Sequence, residues 1–345
     1  MSRPTVASFV ITMLIVAAIG FFFGAALTER GNGAIGIVYA WTIFTPLFAF
    51  QQAEFFAPSR QRIARLPTAA YFAVELVGYV AIILLACAVA GTGLWLTGVA
   101  EAGWREAVMP PKGVLPYSLA ASLLTIFIMR LRDLVGRDVF VSLLTSRYRT
   151  PLREERIFLF FDLVGSTSFA ERHGDLRAQQ YLGEIFRVMA DPVRRYRGSI
   201  DDYIGDSAII SWHFDTGARQ AACIRCALGV FAALRADPDW WIERFGEVPQ
   251  LRAALHGGPV ITAEIGVDHH KITYFGDTVN TTARLESLCR TLEAHFLISA
   301  DLLARVEPPD GVDLEDKGVF NVRGRGQELA VAAVTAGTIS RWSAT

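Results

Sequence analysis

Four apolar stretches recur along the first 129 residues, and then the pattern changes. They run from about Ala7 to Thr28, Ala34 to Phe50, Tyr71 to Leu96 and Leu115 to Met129. A bilayer span needs roughly 20 apolar residues, with about 17 at the short end. The first and third runs reach that length. The second reaches it with Gln51 and Gln52 at the interface, and the fourth is short. The pattern predicts four membrane-crossing helices. A cleaved signal peptide is the competing reading of the first run, but no clean small-residue cleavage site follows it and more apolar runs do.

From Met129 to about Glu155 the chain is charged and amphipathic. Leu131, Leu134, Val135, Val139 and Leu143 recur at helical spacing, and Pro151 ends the segment. This predicts a linker helix over 130–155 that can pair with its twin in a second chain. Beyond it, Ile157–Phe161 is a short apolar run that reads as a buried strand. A helix is expected through about Phe169–Arg197, with Gly174 as a point of interruption. Ser199–Trp212 reads as two strands around a Gly205-Asp206 turn, a hairpin. A helix follows over roughly Thr216–Arg235. Two strands, Leu251–His256 and Pro259–Ile265, flank Gly257-Gly258. A further strand enters Gly276-Asp277, and a helix runs from about Val279 to Leu292. The alternation predicts an α+β sandwich with helices on one face of a mainly antiparallel sheet.

Composition sharpens this division. Residues 1–113 hold only 12 of the 67 charged side chains and no Asp. The first third is therefore membrane-like, and the remainder is globular in composition. A hydrophobic content of 52% excludes disorder. The net charge of -1 argues against a nucleic-acid partner. Four scattered Cys residues (Cys87, Cys223, Cys226, Cys289) point to a reducing compartment rather than a disulfide framework.

Orientation follows the positive charges. Arg60, Arg62 and Arg65 lie between the second and third runs, Arg130, Arg132 and Arg137 follow the fourth, and Arg3 precedes the first. The other loops carry Arg30, and Arg105 with Lys112, each offset by Glu. Both ends are expected on the cytoplasmic side of a multi-pass inner-membrane protein. Tyr71, Trp95, Trp104 and Tyr117 fall near span ends, where an aromatic belt sits. Glu75 reads as a group at headgroup level, with a functional intramembrane carboxyl as the alternative.

Three segments carry chemistry. Asp162 and Asp206 each sit at a strand end near a Gly, so their carboxylates can converge. Hard divalent cations favour such oxygens and keep phosphate oxygens as further ligands. Gly165-Ser166-Thr167 opens a helix and offers backbone N–H groups to phosphate. Asn280 and Arg284 are four apart and share one helix face, a donor pair suited to an anionic transition state. Taken singly, each has a plainer reading: an N-cap for Ser166, a turn residue for Asp206, and a surface Arg paired with Glu286 or another acid. Cys223-x-x-Cys226 falls on a helix with no second ligand pair, so it reads as structural. His256, His269 and His270 have no metal-like partners.

In that order the segments, over about Arg156–Thr335, resemble the catalytic domain of the class III nucleotidyl cyclases. The resemblance implies a ferredoxin-like α+β fold behind an all-α transmembrane bundle, with domains at 1–129 (anchor), 130–155 (linker helix), 156–335 (catalytic) and 336–345 (tail). It implies two Mg²⁺ or Mn²⁺ ions held by Asp162, Asp206 and the Leu163 carbonyl. Asn280 and Arg284 match the family's transition-state pair. Arg325, and secondarily Arg323, match its triphosphate-contacting basic residue. It also implies a homodimer, because family active sites form between two domains and this chain has one. The expected partners are thus ATP, a second copy and the lipid bilayer. One position departs from the pattern. Asp202 stands where adenylate cyclases of the family typically have a base-reading Lys, while its partner position is Thr273. Adenine N1 is an acceptor, which a carboxylate cannot satisfy, whereas guanine offers N–H donors. Lys271, close by, is a possible source of the missing cation. The expected function is a membrane-anchored adenylate cyclase. A guanylate cyclase, a low-turnover nucleotide-binding membrane sensor, and a channel or transporter with a regulatory domain stand as alternatives.

Overall fold

The structure is a computed structural model that describes residues 3–26, 32–52, 68–99, 103–109, 113–114, 116–120, 124, 127–128, 147–266, 271–321 and 328–342. The loop arginines 60, 62 and 65, residues 130–146 of the expected 130–155 linker, His269, His270, Arg323 and Arg325 lie outside that set, as does the side chain of Glu75. The chain divides into two compact units, Met1–Leu134 and Val135–Thr345.

The first unit is helical where described. It contains α1 (Arg3–Ala26), α2 (Gly33–Gln52), α3 (Thr68–Leu96) and the short α4 (Trp104–Val108). Residues 116–120, within the expected fourth run, are also helical. Within α3, Leu76–Leu96 is long and apolar enough to cross a membrane; Val16–Ala25 and Gly33–Leu47 are apolar but shorter. Phe23, Tyr39, Ile43, Leu47, Tyr79, Ile83 and Cys87 form an internal core. Large apolar side chains also point outward, with Phe22 63%, Val77 68% and Leu85 68% exposed. Such helices are apolar all round, unlike the one-sided helices of a water-facing surface. The α1–α2 contact depends on small residues. A Cβ on Gly36 would collide with the Gly20 carbonyl oxygen, and one on Gly20 would meet the Ala40 Cβ at 2.5 Å. Close backbone approach of this kind is how helices associate where no water drives them together.

The second unit is built on an eight-stranded sheet among the described residues. Its elements are β1 (Leu152–Leu163), α5 (Ser166–His173), α6 (Asp175–Arg195), β2 (Ser199–Ile204), β3 (Ser207–His213), α7 (Phe214–Ala218), α8 (Ala222–Arg235), α9 (Pro238–Phe245), β4 (Leu251–Ile265), β5 (Lys271–Phe275), α10 (Asp277–Thr291), β6 (Phe296–Ser299), α11 (Ala300–Leu303), β7 (Leu314–Phe320), β8 (Leu329–Val334) and α12 (Ala336–Arg341). Strands run in the order β2-β3-β1-β4-β6-β8-β7, and β5 pairs with β4. Every pairing is antiparallel except β4 with β6.

Five features differ from the sequence reading. Of the linker helix expected over 130–155, residues 147–150 are turns and bends and residues 152–155 belong to β1. The strands expected on either side of Gly257-Gly258 are one strand, β4. Gly257 is small because the core crowds it: a Cβ there would meet Leu302, Ile157 and Phe214 at 3.0–3.2 Å. Helices cover both faces of the sheet rather than one. Side chains alternate along β4, so Ala253 and Leu255 join a large core with Ile185, Leu228 and Phe245, while Ala254 joins a second core with Leu285 and Cys289 of α10. The helix expected over Thr216–Arg235 is broken, because Gln220 and Ala221 adopt positive φ. Phe214–Arg235 is apolar enough to pass as a span, yet it lies mostly buried and supplies the central core helix α8. Residues 336–341, expected as a tail, form α12, whose Ile339 packs into the large core.

One buried cation ties these strands together. Arg156 on β1 is only 1% exposed. It donates from Nε to Glu154 (2.7 Å), from Nη1 to Ser211 of β3 (2.8 Å) and from Nη2 to Tyr148 (3.3 Å). Its guanidinium sits 4.7 Å from the ring centroid of Tyr274 on β5. Glu154 in turn accepts from Thr262 of β4 at 2.6 Å. Burial opposes the charge on Arg156, but Tyr274, Glu154 and Asp201 together raise its pKa. For Glu154, burial raises the carboxyl, and hydrogen bonds from Thr262 and Arg156 outweigh it to leave a net lowering.

Removing one partner of a buried pair strands the other, at a cost of about 3–5 kcal/mol. Arg156→Ala should therefore lower the unfolding temperature of the detergent-solubilised full chain markedly, followed by tryptophan fluorescence; an unchanged midpoint would refute the network's role. The same network predicts an acid limb. A carboxyl whose folded pKa is depressed stabilises above its unfolded pKa, about 4.3 for Glu, and loses that contribution as pH falls through the folded value. Thermal stability should drop below about pH 4.3, and Glu154→Gln should flatten that part of the drop.

Candidate active site

The antiparallel ladder places Asp162 opposite Ser207 of β3 and Arg252 of β4. Asp206 occupies the tight turn between β2 and β3, next to Gly205 at φ 63°. A strand end and a neighbouring hairpin turn thus bring two carboxylates into one corner. Each is held by a serine. Ser207 Oγ donates to Asp162 Oδ1 at 3.0 Å, and Ser166 Oγ donates to Asp206 Oδ2. Ser166 is therefore not the N-cap of α5. That place belongs to Gly165, whose φ of 76° suits glycine. Ser166 and Thr167 open α5, where the first-turn backbone N–H groups have no partner within the helix.

The corner is electrostatically tense. Burial raises the Asp162 carboxyl pKa, and the charge on Asp206 raises it further; Ser207, Arg252 and Arg290 pull it back. Two carboxylates that share a site behave this way. Arg252 Nη1 lies 3.6 Å from Asp162 Oδ2. Glu286 on α10 faces the same corner: burial raises its carboxyl, and Asp162 is the next contributor. Among the described residues no group of three or more His, Cys, Asp or Glu side chains converges on a cation. The protein supplies two carboxylates. A divalent ion there would complete its shell from backbone and substrate oxygens, the arrangement that Mg²⁺ favours. Like-charge strain relieved by a cation is the feature of this corner that fits one.

Asn280 and Arg284 sit on α10 as expected, with Asn280 exposed and Arg284 partly buried. Arg284 does not pair with Glu286. Its Nη1 lies 4.0 Å from Asp277 Oδ1, beyond hydrogen-bond reach, and is buried without a hydrogen-bond partner among the described residues. No hydrogen bond or ion pair joins Asn280 or Arg284 to Asp162 or Asp206 among the described residues. Asp202 on β2 and Thr273 on β5 are both half-buried, and Lys271 Nζ donates to Asp202 Oδ2 at 2.5 Å. The sequence reading missed Arg252, Arg290 and the orientation of Glu286. The lone charge in Leu251-Arg252-Ala253-Ala254-Leu255 was the available signal. Cys223 and Cys226 are fully buried in α8, where desolvation pushes the Cys223 thiol up to about 12. His256 is buried with Nδ1 2.7 Å from Ser299 Oγ.

Comparison with known proteins bears on this arrangement. Residues 152–333 match the Adenylate and Guanylate cyclase catalytic domain. "Adenylate cyclase 2" of Rhizobium meliloti (strain 1021) is 52% identical over 336 residues, 97% of this chain and 92% of that protein. "Adenylate cyclase 1" of the same organism is 28% identical over 54% of this chain, which spans 28% of that protein. A receptor-type guanylate cyclase of Drosophila melanogaster, Gyc76C, is 27% identical over 57% of this chain and 13% of its own length. Among solved structures, a bacterial light-regulated adenylyl cyclase aligns with TM-score 0.53 at 19% identity, covering 64% of each chain, a likeness of fold alone. The matched segment opens at β1 and closes in β8, enclosing Asp162, Asp206, Asn280 and Arg284. With that span matched, and a relative aligned over nearly its whole length, the chain belongs to the adenylate and guanylate cyclase family.

Proposed function

We propose that this chain is a membrane-anchored adenylate cyclase converting ATP to cyclic AMP and pyrophosphate. The observation that carries the chemistry is the serine-held pair Asp162 and Asp206 in one strand-end corner. The near-full-length likeness to an adenylate cyclase supports ATP as the nucleotide. In the reaction the ribose 3′-oxygen bonds to the α-phosphorus, the bond to the β-phosphate bridge breaks, and the hydroxyl proton is released.

Asp162, Asp206 and the Leu163 carbonyl would hold two Mg²⁺ or Mn²⁺ ions. When bound, such ions lower the pKa of the attacking hydroxyl and neutralise the leaving phosphate. The other residues bind and orient. Gly165, Ser166 and Thr167 present backbone N–H groups to phosphate at the start of α5. Asn280 and Arg284 stabilise charge that develops on the α-phosphoryl oxygens. Arg325, with Arg323 beside it, holds the far end of the triphosphate, and Asp202 and Thr273 line the base.

The active unit is a homodimer. Among the described residues of one chain, no hydrogen bond or ion pair joins the carboxylate corner to the Asn280–Arg284 pair, and Arg284 keeps a buried Nη1 with no hydrogen-bond partner. A second copy that brings its α10 to the first copy's corner completes each site. Residues 1–129 would form an all-α bundle of four spans in the inner membrane, 130–146 a linker helix, and 152–335, where β1 begins, a ferredoxin-like catalytic domain on the cytoplasmic side. The outward apolar side chains of α1 and α3 favour a lipid surround.

Two outcomes test this reading. Arg284→Ala should lower turnover about 100- to 1000-fold, the usual loss when one transition-state donor is removed, with a smaller change in KM; cyclic AMP formation by membranes with saturating Mn²⁺ would measure it. Co-expressed Asp162→Ala and Arg284→Ala chains, each inactive alone, should regain up to about a quarter of wild-type activity, since random pairing makes half the dimers mixed with one intact site of two. No recovery in verified mixed dimers would eliminate the shared site.

A further inference from the structure

The Asp202–Lys271 ion pair is the feature that the proposed reaction leaves unexplained. Its partners come from β2 and β5, which lie at opposite ends of the strand run β2-β3-β1-β4-β5. Asp202 Oδ2 accepts from Lys271 Nζ at 2.5 Å, and Oδ1 accepts from the backbone N–H of Tyr203 at 3.1 Å. Both carboxylate oxygens are engaged, and the charge is matched by an ammonium. A carboxylate held this way is poorly placed to collect the N1–H and N2–H donors of guanine. Lys271 is in the opposite situation. Its side chain is 55% exposed, and Asp202 is its only hydrogen-bond partner among the described residues. An ammonium has three donors, so two remain for a ligand.

Strand alternation puts Lys271, Thr273 and Phe275 on one face of β5. Phe275 is 50% exposed. That face offers a cationic donor, a hydroxyl and an open aromatic ring. Adenine presents an acceptor at N1, an amino group at N6 and a flat face for stacking. Guanine presents N1–H where adenine has a lone pair, and an ammonium there meets a donor with a donor.

Resting on the adenylate cyclase reading above, we infer that Lys271 reads the purine edge and selects adenine, and that Asp202 is a positioning residue that aims the ammonium. The cation thus reaches the base from β5 rather than from β2. A plain surface ion pair that braces two strand edges, worth little by itself, is the competing account.

The test compares kcat/KM for ATP and for GTP in membranes carrying the full chain, with both cyclic products quantified. Lys271→Ala should cut kcat/KM for ATP about tenfold or more, the weight of one charge-assisted hydrogen bond, and lower the ATP-to-GTP ratio as much. Lys271→Arg should keep most of the ratio. Asp202→Ala should raise KM for ATP with little change in kcat. The transposed variant, Lys271→Ala with Asp202→Lys, should recover ATP preference. A ratio left unchanged by Lys271→Ala in a chain that still makes cyclic AMP would overturn the assignment of Lys271 alone. An equal fall for both nucleotides, with no recovery in the transposed variant, would also overturn it, since bracing or misfolding moves both together. A wild-type chain that makes cyclic GMP and no cyclic AMP would instead overturn the adenylate reading itself.

Discussion

Arg156 is the constraint on which the catalytic unit turns. It is a buried guanidinium in the middle of β1, and every strand near it answers to it: β3 through Ser211, β4 through Glu154 and Thr262, β5 through Tyr274. A buried charge is tolerated only when its donors are met. The segment at Tyr148 is drawn in by the same demand, and the Tyr148 carbonyl also accepts from the backbone N–H of Glu264 at 2.8 Å. Polar networks of this kind fix one arrangement of strands where an apolar core would accept several. Because β1 carries both Arg156 and Asp162, the strand that anchors the network also sets the position of a proposed metal ligand.

The second organising element is α10. Residues 284 and 286 are separated by about 200° around a helix. Arg284 and Asn280, four apart, therefore look one way, and Glu286 and Arg290, also four apart, look another. Glu286 and Arg290 modulate the carboxylate corner of their own chain. Arg284 does not reach it. In the proposed dimer, one helix would tune a site in its own protomer and offer a different pair to the other, so that a single catalytic domain holds every required group and still needs a partner.

Much of this was legible along the chain. Ile157–Phe161 announced a buried strand, and Gly205-Asp206 announced the hairpin that delivers Asp206. The spacing of Asn280 and Arg284 placed them on one face. What stayed hidden depends on distant neighbours. Gly257-Gly258 reads as punctuation, but the strand continues because Leu302 and Phe214 leave no room for a side chain. Arg156 looks like an ordinary charge before an apolar run, since its partners Ser211 and Tyr274 lie far along the sequence. The second helical layer was missed for a related reason. Ala253-Ala254-Leu255 is apolar without a break, and only the fold shows that alternate residues enter different cores. Lys271 came into view as a neighbour of the base position, but its contact with Asp202 required the curvature of the sheet.

That curvature has a consequence for solubility. A sheet with free margins exposes rows of N–H and C=O groups that can recruit a strand from another molecule. Here β2, β5 and β7 are margins among the described residues, and the Asp202–Lys271 pair draws β2 and β5 toward each other. The register shift between Ile200 and Asp202 further spoils β2 as a template. The same two charges proposed to address the nucleotide also make these two margins poor seeds for unwanted strand addition.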